Sequence, residues 1–217
     1  MQSICPMCDA PTVGDKYCER CWNIKYREKI RKENPETAFA ELYKILEPLY
    51  VSASLNDLPA TLVDKITTRG DKDLVLWGPV GVGKTHTMAA LIRFYYFFGF
   101  DVMRINYDEF LVRLRSTYQA GAKETECEVS QRLKDVDKLF IDDLGLRGIE
   151  SEFAKVVLFD ILNKRQERLL QTFITTNKPV GELAKSFDVR IASRLQSAVQ
   201  VALKGVDRRI KTTNGEG

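Results

Sequence analysis

The sequence contains one histidine, two tryptophans and no apolar run long enough to cross a bilayer. Its most apolar stretch, MAALIRFYYFFGF at residues 88–100, is interrupted by Arg93 and falls short of the roughly 20 apolar residues that a membrane span needs. The first residues, MQSICPMC, lack the apolar segment of a secretory signal. A reducing cytoplasm is therefore the expected location. A strong charge bias is missing too. The 33 Lys and Arg face 30 Asp and Glu, a net charge of +3, which excludes nucleic-acid binding by bulk positive charge. The bias that exists is local. From Lys185 to Gly217 there are seven basic residues against three acidic ones, either a phosphate-facing patch or, more commonly, a solvated tail. In a reducing compartment the five cysteines are expected as metal ligands or free thiols rather than disulfides.

Length and composition describe an ordinary globular chain. Its 217 residues suffice for one core burying roughly 70% of the unfolded surface, plus a small appendage. The appendage is marked by CPMCDAPTVGDKYCERCW. Cys5, Cys8, Cys18 and Cys21 form two C-x-x-C pairs separated by nine residues. Two such knuckles close four thiolates around one zinc ion and leave no open coordination position for catalysis. Pro6, Pro11 and Gly14 suit the tight turns required. A segment this short has almost no core, so the metal would supply most of its folding energy. A redox C-x-x-C needs a surrounding βαβ unit, which does not fit here. The expected unit is a zinc-binding domain over residues 1–33. Cys127 stands apart in a polar segment and reads as a free thiol. Whether the knuckles bind protein, bind nucleic acid or only pack is left open by their spacing.

Next comes NIKYREKIRKEN, residues 23–34, with five Lys/Arg against two Glu, expected as an exposed helix or linker. A linker helix follows within residues 34–54. Asn34 can cap it, Pro35 suits the first helical position and Glu36 favours the positive helix end. Phe39, Leu42, Tyr43 and Leu46 are expected on one packing face, and Pro48 ends the pattern. The stretch from Val51 to Asp73 has no strong periodicity.

DLVLWGPVGVGKTHTMAALIRFYYFFG predicts a strand, a glycine loop and a helix, with Gly99 a plausible C-cap. Gly78, Pro79, Val80, Gly81, Val82, Gly83, Lys84, Thr85 and His86 carry the pattern G-x-x-x-x-G-K-[ST]. Its glycines let backbone N–H groups surround a polyphosphate, and the helix N-terminus adds positive potential. Lys84 would reach the β and γ phosphates of ATP, and Thr85 would offer its hydroxyl to Mg²⁺. His86 is open to a catalytic role or to packing beneath the loop, with packing the expected one. DVDKLFIDDLG predicts a buried strand ending in two carboxylates. Asp142 would hold Mg²⁺ and Asp143 would orient or deprotonate the attacking water. LLQTFITTNKP is a third strand, with Asn177 placed to hold the γ-phosphate or the water. FDVMRINYDEF adds a strand ending near Asn106, and SAVQVAL a fifth. Strands separated by helices predict an α/β fold: a parallel five-stranded sheet with helices on both faces.

In this order the motifs GPVGVGKTH, LFIDDLG, ITTN, DVRIASRL and GVDRR closely resemble the AAA+ ATPases of the DnaC/DnaI helicase-loader and IstB transposition-helper family. The resemblance covers roughly residues 55–210. It implies an ATPase domain over 55–212, a reduced or absent helical lid, and a flexible tail over 213–217. DnaI-type loaders, phage versions included, also place a cysteine-rich domain ahead of such an ATPase. The resemblance implies that the glycine loop is Walker A, Asp142-Asp143 Walker B and Asn177 sensor I. Arg194 matches the arginine finger, with Arg190 a second arginine of the same box. Asn106 falls where a polar switch holds the catalytic carboxylate, and Arg208 near sensor II. Asp143, shorter than the Glu of other AAA+ classes, implies slow hydrolysis stimulated by single-stranded DNA or a partner. A finger acting in trans implies self-association or docking on another AAA+ protein. The implied function is a helicase loader. Its zinc domain grips a replicative hexameric helicase and its ATPase helps place that helicase on single-stranded DNA. Candidate DNA contacts are Arg113, Arg115, Tyr118 and Lys123. The alternatives are an IstB-like transposition helper, a zinc-dependent nucleic-acid-binding regulator and a small-molecule P-loop kinase.

Overall fold

The computed structural model describes residues 2–8, 10–13, 16–145 and 151–207. Five parallel strands form the main sheet: β3 (Leu74–Trp77), β4 (Val102–Asn106), β5 (Lys138–Leu144), β6 (Gln171–Thr176) and β7 (Val199–Ala202), in the order β4-β5-β6-β3-β7. The hairpin β1 (Gln2–Ile4) and β2 (Pro11–Val13) makes a separate antiparallel pair. Central strands of a parallel sheet are covered on both faces, and so read as near-continuous apolar runs. Accordingly every residue of β6 is buried.

Alternation divides the core in two. Val75, Leu139, Ile141 and Ile174 point to one face. There they meet α5 (Tyr107–Ser116), α6 (Glu126–Asp135), α7 (Glu152–Glu167), α8 (Val180–Ser186) and α9 (Val189–Leu195). Leu74, Leu76, Phe140 and Phe173 point to the other face and meet α4 (Lys84–Phe97) and α2 (Pro35–Ile45). The expected α/β sheet with helices on both faces is what the chain builds. The expectation about the lid lies outside the described residues. Among those residues no helix is long and apolar enough to cross a membrane.

Three local readings change. The basic connector belongs to α1 (Glu19–Glu33), and its arginines are docked rather than solvated. Arg27 Nε donates to the Gly99 carbonyl at 2.7 Å, and Arg31 Nη1 to the carbonyls of Tyr96 at 2.6 Å and Phe100 at 3.0 Å. Cations thereby meet the negative C-terminal end of α4. Gly99 does cap α4 with φ +87°, and it is also a point of contact. A Cβ there would overlap the Ile24 carbonyl of α1. Second, the buried face of α2 is Ala38, Leu42 and Leu46, while Tyr43 is 55% exposed. Tyr43 lies about 100° around the helix from Leu42, too far to share its face. Third, Val51–Asp73 contains α3 (Ala60–Thr67) and the 3₁₀ turn Leu55–Asp57, and a second 3₁₀ turn, Pro48–Tyr50, directly precedes it. Leu58, Leu62, Val63 and Ile66 have helical spacing, but over too few turns to stand out in sequence.

Candidate nucleotide site and cysteine centre

The glycine loop connects β3 to α4 at the carboxyl ends of the parallel strands, where ligands of open α/β sheets sit. A cavity of about 510 Å³ opens there, lined by Leu49, Tyr50, Val80, Gly81, Gly83, Lys84, Thr85, His86, Asp143 and Asn177. Predicted residues from three separate strand ends thus face one space. Gly78, Pro79 and Val82 build the turn behind it. Gly81 has φ +78°, and a Cβ there would overlap the Asp207 carboxyl group. The loop is therefore held against the segment that follows β7. His86 lines the cavity wall, half-buried, rather than packing beneath the loop.

Lys84 is 6% exposed, and its Nζ donates to the carbonyls of Gly78 at 2.9 Å and Pro79 at 2.8 Å. The ammonium is thus held within the curl of the loop. Asp142 is 1% exposed at the end of β5. Its Oδ1 accepts from Thr175 Oγ1 at 2.5 Å and from Thr85 Oγ1 at 3.4 Å. Its Oδ2 accepts from Arg104 Nη2 at 2.9 Å. Thr85 and Asp142, the two predicted Mg²⁺ ligands, are therefore neighbours, and the oxygen-rich pair suits a hard cation.

Asp143 lies in the left-handed region at φ +61°. The register between β5 and β6 shifts at this point, between Ile141 and Leu144. Bulges of this kind re-aim side chains at the ends of strands. The turned peptide is secured by Asp143 N–H donating to Thr175 Oγ1 at 2.8 Å. One threonine hydroxyl thus bridges both acidic positions. Neither Thr175 nor Arg104 was singled out in the sequence, because neither belongs to a phosphate-binding pattern. Their signal is strand alternation, which puts Arg104 and Asn106 on the same side of β4. Leu49 and Tyr50 were also missed, since they come from the linker.

Asn106 pairs in register with Asp142. Its side-chain oxygen caps α5, accepting from the N–H of Asp108 at 3.0 Å and of Glu109 at 3.4 Å. Arg190 and Arg194 lie outside the cavity, on α9. Arg190 pairs with Asp188 at 2.9 Å and Glu152 at 3.9 Å. The Arg194 guanidinium sits over the Phe159 ring at 5.5 Å and is exposed; it forms no salt bridge among the described residues, although after Lys164 it helps to lower the Glu167 carboxyl. Arg208 lies outside the described residues. Of the candidate DNA contacts, Arg113 forks onto Glu124 and Tyr118 hydrogen-bonds Glu126, whereas Arg115 and Lys123 are exposed.

At the other end, the sulfurs of Cys5, Cys8, Cys18 and Cys21 lie within 4.8 Å of one another. Tetrahedral zinc–sulfur bonds of about 2.3 Å place sulfurs roughly 3.8 Å apart, so the donor set fits that ion. The first pair is set by the β1–β2 turn, where Cys5 N–H donates to the Ala10 carbonyl at 2.8 Å. The second pair spans the start of α1, with Cys18 the N-cap. Burial raises the Cys5 thiol, but hydrogen bonds from the backbones of Cys18 and Met7 and from Cys8 and Cys21 outweigh it, bringing it to about 6. Burial, then the Cys8, Cys18 and Cys5 side chains, raise Cys21. Cys127 is exposed and apart from them.

Comparison with known proteins agrees with this geometry. The replicative helicase loader DnaC of Escherichia coli is 27% identical over 119 residues, 55% of this chain and 48% of that protein. The chain therefore spans about half the length of the curated relatives it matches. The crystal structure of DnaI superposes with a TM-score of 0.64 at 25% identity, covering 76% of this chain and 94% of that one. The DnaC helicase loader superposes at 0.62 and 20% identity, over 72% and 99%. A family model described as IstB-like ATP binding protein matches residues 54–201, well over half of the chain. On the loop, the strand-end acids and this match, the chain belongs to the family of IstB-like ATP-binding proteins.

Proposed function

We propose that this protein is an ATP-dependent loader of a replicative helicase. The observation that carries the reading is the convergence of Lys84, Thr85, Asp143 and Asn177 on one cavity, with Asp142 directly behind Thr85. ATP would lie with its phosphates along the glycine loop, against the α4 N-terminus. Leu49 and Tyr50 supply the less polar wall for its base. Mg²⁺, held by Thr85 and Asp142, would neutralise the phosphates. Asp143 is the group that orients or deprotonates water, and Asn177 positions the γ-phosphate. Arg194 serves a neighbouring subunit, because it is exposed, forms no salt bridge among the described residues and stands outside the cavity of its own chain. ATP then favours one arrangement of subunits and hydrolysis releases it.

The cysteine head, as a zinc domain, is the element that holds the helicase. Ile4, Met7, Trp22 and Tyr26 are all large, apolar and at least 41% exposed on the head and the adjoining face of α1. Exposed apolar groups of this size mark interaction surfaces when they cluster. Single-stranded DNA is the substrate on which the helicase is placed, with Arg115 and Lys123 as exposed contacts.

The test is co-purification with the cognate hexameric helicase. Intact protein should form the complex. Cys5→Ser plus Cys8→Ser should lose it while the ATPase domain still folds and binds nucleotide. Retention by the double variant contradicts the gripping role. The family match itself favours one second reading, an IstB-like transposition helper. Capture of a transposase, with no helicase complex, would establish that reading.

A further inference from the structure

Arg104 is a cation that no phosphate-binding motif includes, yet it touches the most buried carboxylate of the site. It stands on β4, two residues before Asn106. Its Nη2 donates to Asp142 Oδ2 at 2.9 Å, with the Arg104 side chain 14% exposed and that of Asp142 1%. Thr175 and Thr85 occupy the other oxygen. A buried ion pair is weak grounds for a stabilising role, because well-packed apolar residues often serve as well. Its placement beside Thr85 gives it a different consequence.

We propose that Arg104 sets how strongly nucleotide binding depends on Mg²⁺. This rests on the nucleotide reading of the cavity. A divalent cation held by Thr85 and Asp142 shares its carboxylate with a guanidinium. Two opposite effects follow. The guanidinium competes for the charge of Asp142 and weakens cation binding. It also neutralises Asp142 when no cation is bound, so that the phosphates of ATP do not meet a bare buried carboxylate. Both effects shrink the difference between ATP affinity with and without Mg²⁺. Arg104 is thus a positioning residue acting through Asp142.

The experiment measures equilibrium binding of a fluorescent ATP analogue in excess chelator and in excess Mg²⁺. It uses the full chain as wild type, Arg104→Lys and Arg104→Gln. The expected wild-type ratio of the two affinities is below about tenfold. Arg104→Gln should bind more weakly in chelator, bind at least as tightly in Mg²⁺, and so widen the ratio by on the order of tenfold. Arg104→Lys keeps the charge and should stay within about threefold of wild type. The proposal is overturned if Arg104→Gln leaves the ratio unchanged, lowers both affinities equally, or is matched by Arg104→Lys. Should Arg104→Gln fail to fold, the wild-type ratio decides, and a value above about a hundredfold overturns the proposal. A wild type that binds no nucleotide under either condition fails the nucleotide reading instead.

Discussion

Individual side chains divide into those that touch the cavity and those that hold its walls. Lys84 belongs to the first group. Lys84→Ala removes the only lysine lining the described cavity, and nucleotide affinity should fall at least about a hundredfold by equilibrium titration, with the fold intact. Asp143→Asn should bind nucleotide as before and hydrolyse it about a hundredfold more slowly, read from single-turnover rates. Arg165 belongs to the second group. It is fully buried and donates to the carbonyls of Leu133, Val136, Asp137 and Gln171 and to Thr172 Oγ1. Arg165→Met would leave these acceptors unpaired and should cost about 3–5 kcal/mol in urea unfolding. Lys138 gives a pH signature. Burial, then the nearby Arg69 and Arg20, lower it to about 8, although it lies over the Tyr95 and Phe100 rings. An unfolded lysine titrates near 10.4. Between these values the unfolded chain holds a proton that the folded chain has lost. Stability from this group therefore rises with pH across that window, and its burial penalty is present in full below pH 8. Relative to Lys138→Met, the wild type should gain unfolding free energy from pH 8 to pH 10. A constant difference would contradict the assignment.

Among the elements, α1 has the most to explain, because it joins the cysteine head to the end of α4. Arg27 and Arg31 fasten it to carbonyls there, and Gly99 lets the two backbones meet. Gly99→Ala forces a side chain into the left-handed region and against Ile24. Hydrogen exchange should then accelerate in α1 while β5 and β6 keep their protection. Much of the architecture was legible in sequence because the central strands β3, β5 and β6 are short, largely buried runs beside a turn motif, as in LFIDDLG. The phosphate loop was legible for the same reason: its glycines and Lys84 are contiguous. The docking of α1 was not. Its arginines look solvated in sequence, and only the fold brings the C-terminal carbonyls of α4 beneath them. Tyr43 was misplaced because a four-residue stripe fixes a helix face only to within about one position. Arg104 and Thr175 were missed because their meaning depends on which strand lies beside β5.

For the whole molecule, α1 connects two centres, the cysteine head and the cavity beside the glycine loop. In the proposed reading the four cysteines would close around a metal, and the cavity at the carboxyl ends of the strands would hold the nucleotide. Chelation should release one zinc per chain and melt the head. The main sheet, whose core does not include those cysteines, should keep its thermal transition. A single cooperative loss of both would contradict that separation. The central claim is that one subunit's triphosphate is sensed by its neighbour's arginine. Mixing two defective variants tests it most directly. Lys84→Ala should bind nucleotide poorly but keeps Arg194, and Arg194→Ala should bind nucleotide but lacks the proposed finger. Each alone should be nearly inactive as an ATPase. Their mixture should recover a clear fraction of wild-type hydrolysis, because Arg194 of one chain completes the cavity of the other. A mixture no more active than its two components would contradict the account.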